Sequence, residues 1–267
     1  MSDGISVIDR YIECFDDCKP IVYKGIFISP FLAKDIRLCN YACYCLIVEP
    51  VDFNDITLMP LKRLDLIMTI FERVLNNQLP SDKNISKKFQ LVIDSFKILL
   101  KSVFIGYDFD FTDPNNPNRK RVLRVIDDEN QKYQVFGIND FEEMSELILH
   151  HNGIDVSYRD KYPAGLRKEL DDKIVKMNKS KNAPSIEKMI DSAFLFIRDY
   201  EKVLNLPIRK FYNLILNIQK REEYEILMSG AYIVKDVMHW MSGEYEKDPY
   251  KDLVTTESQV MGKFKDL

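Results

Sequence analysis

Three aspartates, Asp108, Asp110 and Asp113, stand close together in the stretch VFIGYDFDFTDPNNPNRKR, and carboxylates at such spacing can chelate a hard cation. A calcium loop of the EF-hand type also needs a glycine at its sixth position and a bidentate glutamate at its twelfth. Counted from Asp108, the sixth residue is Asp113 and the twelfth is Arg119, so the pattern fails at both places. Arg119, Lys120 and Arg121 instead set cations beside the carboxylates, and the intervening prolines and asparagines supply turn chemistry. The stretch reads as the corner of a hairpin.

Cysteine is the next candidate. Cys14, Cys18, Cys39, Cys43 and Cys45 all fall in the first fifth of the chain. Cys39 and Cys43 would share a helical face, as a metal or redox pair requires. No CxxC pair and no nearby histidine completes a tetrahedral zinc set, so the thiols are expected to be reduced and buried as small apolar groups. His150 and His151, adjacent on a helix, point about 100° apart and cannot easily share one ion. They are expected to be solvated or capping. His239 beside Trp240 in VMHWMSGEY fits an amphipathic segment as well as a site. The paired carboxylates (Asp127-Asp128 and Glu142-Glu143 among them) sit in charged or turn contexts that would not tune a pKa. None of the phosphate-binding, dinucleotide, zinc-protease or nucleophile-elbow motifs occurs. The residues thus nominate no catalytic, cofactor-binding or metal-binding position, and the chain is expected not to be an enzyme.

The bulk properties are those of an ordinary folded chain. Of 267 residues, 46% are apolar and 30% charged; 38 basic against 42 acidic residues leave a net charge of −4, too near balance to imply nucleic acid or an anionic membrane as partner. Nine glycines are too few for a large all-β fold, and 16 Phe with 14 Tyr promise a core anchored by rings. The N-terminus lacks a signal-peptide pattern, and the most apolar run, Leu38 to Val48, is about half the roughly 20 residues that span a bilayer.

The elements that must position these residues fall into three zones. Residues 1–102 are helical after a short extended stretch, Ile21 to Ser29. One helix is expected from Pro30 with Leu32, Ile36, Cys39, Cys43 and Leu46 inward. A second starts at Pro60, with Leu61, Leu64, Ile67, Met68, Phe71 and Leu75 on its stripe. A third carries Phe89, Val92, Ile93, Phe96, Leu99 and Leu100. Residues 103–138 read as an antiparallel β-meander: a strand over Val103 to Phe111, then RVLRVID and YQVFGI parted by DDEN. Residues 139–267 are helical again. Asn139 or Asp140 caps a helix that Gly153 stops; a charged helix and polar linker follow up to Ser185. A helical hairpin comes next, jointed at NLP. Its first helix carries Met189, Ala193, Phe196, Ile197 and Tyr200 and its second Ile208, Phe211, Leu214, Ile215, Ile218, Tyr224, Ile226 and Leu227, stripes that read as core. The fold class is α+β, mostly helical, with a small β-meander near the middle.

The segments FGINDFEEMSELILHHNGID, PSIEKMID, LPIRKFYNLILNIQKREEYEILMSGAYI and HWMSGEYEKDPYKDLVTTESQVMGKF resemble a group of bacteriophage proteins from the tail and baseplate region of tailed phages, especially those of low-GC Gram-positive hosts. The earlier YKGIFISPFLAKDIRLCNYA is more loosely similar to the opening of baseplate hub and tail-assembly proteins. The resemblance spans the C-terminal half and, more weakly, the first hundred residues. It implies a non-enzymatic structural component or assembly chaperone with no cofactor, working in the host cytoplasm or staying in the virion tail. It also implies other tail or baseplate proteins, or further copies of the chain, as partners. Anchors three and four residues apart suit burial of a helix face by such a partner. The candidate contact residues are Phe211, Tyr212, Ile215 and Tyr224, with His239, Trp240 and Tyr245 from the segment beyond. A phage-encoded enzyme or small-ligand-binding factor acting on the host, and a host-protein interaction module, are the alternatives.

Overall fold

The computed structural model describes residues 6–17, 19–114, 121–154, 166 and 185–228. The charged segment expected before Ser185, the VMHWMSGEY segment and the C-terminal tail lie outside these residues. By contact the chain divides into two units: residues 1–154 with 189–218, and residues 155–188 with 219–267. The three sequence zones are therefore cut differently, because residues 189–218 of the third zone pack with the first two. In the second unit the described part is Leu166, residues 185–188 and the helical stretch 219–228, where Arg221 and Glu225 pair at 2.8 Å one turn apart.

The first unit opens with α1 (Ile12–Asp17) and a two-stranded hairpin of β1 (Ile21–Tyr23) and β2 (Ile26–Ile28), paired in the register Ile21↔Ile28. The expected single extended stretch is thus a turn-back. Lys24 (φ 49°) and Gly25 (φ 84°) both take the left-handed conformation that a two-residue type I′ turn demands. Period-two burial follows: Ile21, Tyr23, Ile26 and Ile28 face inward, and Val22 and Phe27 face out.

The helix expected from Pro30 begins later and is broken. A 3-10 turn at Ala33–Asp35 leads into α2 (Ile36–Ala42), and the chain re-enters α3 (Tyr44–Ile47) after Cys43. The inward residues Ile36, Cys39, Cys43 and Leu46 are nonetheless buried as the spacing requires. α4 (Arg63–Leu75) starts three residues after Pro60. Leu64 and Ile67 of its expected stripe are buried, joined by Leu66 and Ile70, while Leu75 is exposed. The stripe shifts because α4 is packed on two sides, against α5 (Lys83–Val103) and α6 (Ile138–His151). α5 is the spine of the unit. It receives α2, α3 and α4, and every residue of its expected stripe is buried.

The predicted strand over Val103 to Phe111 is shorter in fact. α5 runs to Val103, Gly106 (φ 85°) redirects the chain, and β3 covers Asp108–Asp110 alone. β4 (Leu123–Asp127) and β5 (Lys132–Phe136) complete an antiparallel sheet in the order β3-β4-β5. The class read from the sequence, α+β and mostly helical with a small antiparallel meander, is the class of the fold.

One carboxylate ties α4 to α6. Glu142 accepts from the Arg63 main-chain N–H at 2.6 Å and pairs with its guanidinium at 2.6 Å, while the Arg63 Nε donates to the Leu46 carbonyl at 3.1 Å. The amide is one of the donors that the first turn of a helix leaves without a partner, so a single side chain caps α4 and neutralises its first cation. Glu142→Ala is expected to lower unfolding stability by about 2 kcal/mol, the loss of charge-assisted bonds in a half-buried place. Urea unfolding with an unchanged slope checks it.

The last helices do not form the simple hairpin expected. α7 (Ile186–Ile197) stops at Arg198 (φ 59°), and Asp199 caps a separate short α8 (Tyr200–Leu204) by accepting from the Lys202 amide at 3.0 Å. α9 (Ile208–Met228) follows Pro207 as the NLP joint suggested. The joint is fastened by main chain. Ala33 N–H donates to the Leu206 carbonyl at 2.7 Å, and Ile208 N–H to the Phe31 carbonyl at 2.9 Å. Ile208, Phe211, Ile215 and Ile218, spaced three and four apart, are buried.

Candidate functional site

The three aspartates of the central stretch do not converge. Asp108 on β3 faces Asp128 of the β4–β5 turn, and this neighbouring carboxyl raises the Asp128 carboxyl above its ordinary value. Asp110 is taken by Arg124 and by the Thr112 hydroxyl at 2.9 Å, and Asp113 is buried. Arg121 does not serve these carboxylates; it reaches Asp65 of α4 at 3.3 Å. Among the described residues no three of His, Cys, Asp and Glu gather as a metal site.

Cys39, Cys43 and Cys45 are buried free thiols and Cys14 is half-buried; Cys18 lies outside the described residues. The Cys39 and Cys43 sulfurs are 3.9 Å apart. Their mutual hydrogen bond, then burial, pushes the Cys39 thiol up, and burial does the same for Cys45. A thiol held neutral in apolar surroundings is a poor nucleophile and a poor ligand. These are packing groups.

The histidines correct the sequence reading. His151 is fully buried, not solvated, and neither of its ring nitrogens has a hydrogen-bond partner. Burial, then the Arg209 and His150 charges, lower its pKa to about 4; the Lys19 main chain opposes this without reaching hydrogen-bond geometry. The His150 and His151 rings lie 4.5 and 5.6 Å from Phe15 of α1. The end of α6 around them is closely built. Gly153 (φ 73°) donates to the His150 carbonyl and Ile154 to that of Leu149, a Schellman end of the kind Gly153 predicts. Arg209 of α9 donates to the same His150 carbonyl at 3.0 Å. Asn152, also buried, accepts from the Phe31 amide at 2.9 Å and donates to the Ile148 carbonyl at 2.8 Å. This knot joins α1, α6 and α9 and is structural.

The expected partner-contact residues divide. Phe211 and Ile215 are buried core and present nothing to a partner, because the stripe they belong to is the one α9 turns inward. Tyr212 is half-buried, its hydroxyl pushed up by burial, and Tyr224 is half-buried. His239, Trp240 and Tyr245 lie outside the described residues.

The sequence reading missed two features. The first is on α7, whose stripe was expected to be core. Ala193 alone of it is fully buried; Phe194 (39% exposed), Leu195 (75%), Phe196 (53%) and, past the break, Tyr200 (50%) stand at the surface. Phe194 and Tyr200 meet edge to face, with ring centres 5.8 Å apart. Four large apolar side chains within seven residues is the kind of patch that marks an interaction site. The signal in the sequence was FLF, three consecutive large apolar residues that one helix face cannot hide.

The second is a pocket of about 200 Å³ between α4, α5 and the β3 arm. Met68 and Phe71, Ile93 and Phe96, and Phe109 and Phe111 line it; Phe111 rests against both Phe71 and Phe96, 6.3 and 6.2 Å between centres. Lys97 and Lys101 stand at its edge.

No protein-family model, no curated protein and no solved structure matches the chain. No helix among the described residues is long and apolar enough to cross a membrane.

Proposed function

We propose that the chain is a non-enzymatic assembly protein that works by protein–protein contact, and that its setting is the tail or baseplate of a tailed bacteriophage, as a structural component or an assembly chaperone. The observation that supports contact as the mode of action is the apolar row on α7, with Leu195 75% exposed. Burying such a row against a partner removes large apolar side chains from water at about 25 cal/mol per Å². The resemblance of the C-terminal half to tail-region proteins supports the setting. The partner is another tail or baseplate protein, with further copies of the chain as the variant outcome.

The test is Leu195→Glu in the natural genome. Folding stability is expected to change by less than about 0.5 kcal/mol, since the side chain is at the surface. Particle yield and co-purification with tail proteins are expected to fall at least about tenfold. Unchanged yield and unchanged co-purification with a folded variant would sink the docking surface. A small-ligand-binding factor is the second reading, favoured by the apolar pocket between α4, α5 and β3.

A further inference from the structure

We propose that the pocket between α4, α5 and β3 binds a small anionic amphiphile, a medium-chain alkyl monocarboxylate whose tail enters the pocket while its head rests between Lys97 and Lys101. The inference does not depend on the assembly reading. The wall is carbon throughout. It offers a ligand no hydrogen bond, so the tail has to be apolar, and a main chain laid along it would leave its amides without partners. A dry apolar cavity of about 150 Å³ accepts benzene; about 200 Å³ accepts a slightly bulkier tail.

The rim selects the head. Lys97 and Lys101 are one turn apart on α5, a spacing that puts their stems side by side at roughly 5–6 Å. Both are exposed, and neither forms an ion pair among the described residues. Asp94, the carboxylate one turn before Lys97, is bonded by the Gln90 amide at 2.9 Å instead. Two uncompensated cations over an apolar hole match a carboxylate on a hydrocarbon chain. A neutral tail would leave them unused, and a cationic head would be repelled.

Titration calorimetry of the full chain with butanoate, hexanoate, octanoate and octanol tests this. One-to-one binding is expected, tightening about fourfold per added methylene until the tail fills the pocket. Octanoate is expected to bind several-fold tighter than octanol. Lys97→Glu with Lys101→Glu, both surface changes that leave folding intact, is expected to weaken octanoate at least about tenfold. Met68→Trp, which fills the pocket, is expected to abolish binding while cooperative unfolding is retained. No saturable heat with octanoate would overturn the proposal and leave the pocket as a seat for a protein side chain. Octanol binding as tightly as octanoate, with the lysine variant unaffected, would overturn it as well.

Discussion

Phe211→Ala is expected to lower the unfolding free energy by about 3–5 kcal/mol, the range for emptying a buried ring site. The ring has no exposed surface and lies in the inward row Ile208, Phe211, Ile215 and Ile218. The start of α9 is held on both sides by main-chain bonds to residues 31 and 33, so the helix has little freedom to collapse into the space. Denaturant unfolding is expected to show an earlier midpoint with an unchanged slope. A loss below about 0.5 kcal/mol would place Phe211 at the surface and restore it as a partner contact. The contrast with Leu195→Glu is the point. Phe211 is inward and Leu195 stands at the surface, so the first substitution is expected to cost stability and the second is not.

Acid is expected to weaken the fold through His151. The buried ring titrates near pH 4 in the folded chain and at its ordinary value of 6.5 when unfolded. Between these values the unfolded state binds the extra proton, so stability rises with pH across the window. It is complete above about pH 6.5 and falls as pH drops, with the loss levelling off below about pH 4. The difference corresponds to about 3 kcal/mol for one such group. Asp55, which the Arg73 hydrogen bond holds down to about 2 from an ordinary 3.8, adds its own loss of stability mainly below about pH 4, beneath the histidine window. Chemical unfolding at a series of pH values checks the slope. His151→Leu, which keeps the apolar contact with Phe15 and removes the titration, is expected to flatten it by up to one proton. An unchanged slope in that variant would show that the ring is hydrated or hydrogen-bonded in solution.

Much of the architecture was legible because burial and period agree. α5 carries its apolar residues on one wide stripe and is packed by three helices, so the periodic pattern names its core without error. β4 turns Leu123 and Val125 inward in alternation, and Gly153 ends α6 because an αL position is needed there. Other features failed for physical reasons that pattern cannot carry. The Lys24-Gly25 turn looks like extended chain in sequence, since Lys is not a residue that announces a positive φ. Pro30 looked like a helix start, yet residues 31–33 are drawn into pairing with residues 206–208, a partner about 175 positions away in sequence that local patterning does not register. Arg198 breaks a helix whose periodicity runs on through it. Adjacent histidines point about 100° apart, which suggests solvated or capping rings rather than a shared ion; what buries His151 is the packing of α1 and α9 on the end of α6.

The candidate site was the least legible part, for one reason. A stripe of apolar residues says that something must cover it but not what. For Phe211 the cover is the described chain itself; Leu195 stays 75% exposed. The pocket was unreadable because its lining comes from three elements that meet only after α5 has ended and the chain has turned at Gly106.

The most direct measurement is quantitative mass spectrometry of purified particles and of the lysate from which they come, with the chain expressed from its natural genome. The chain is expected at a fixed ratio to tail or baseplate proteins, in the finished particle for a structural component or in an assembly intermediate for a chaperone. Finding it in neither, free of every tail protein in the lysate, would contradict the account.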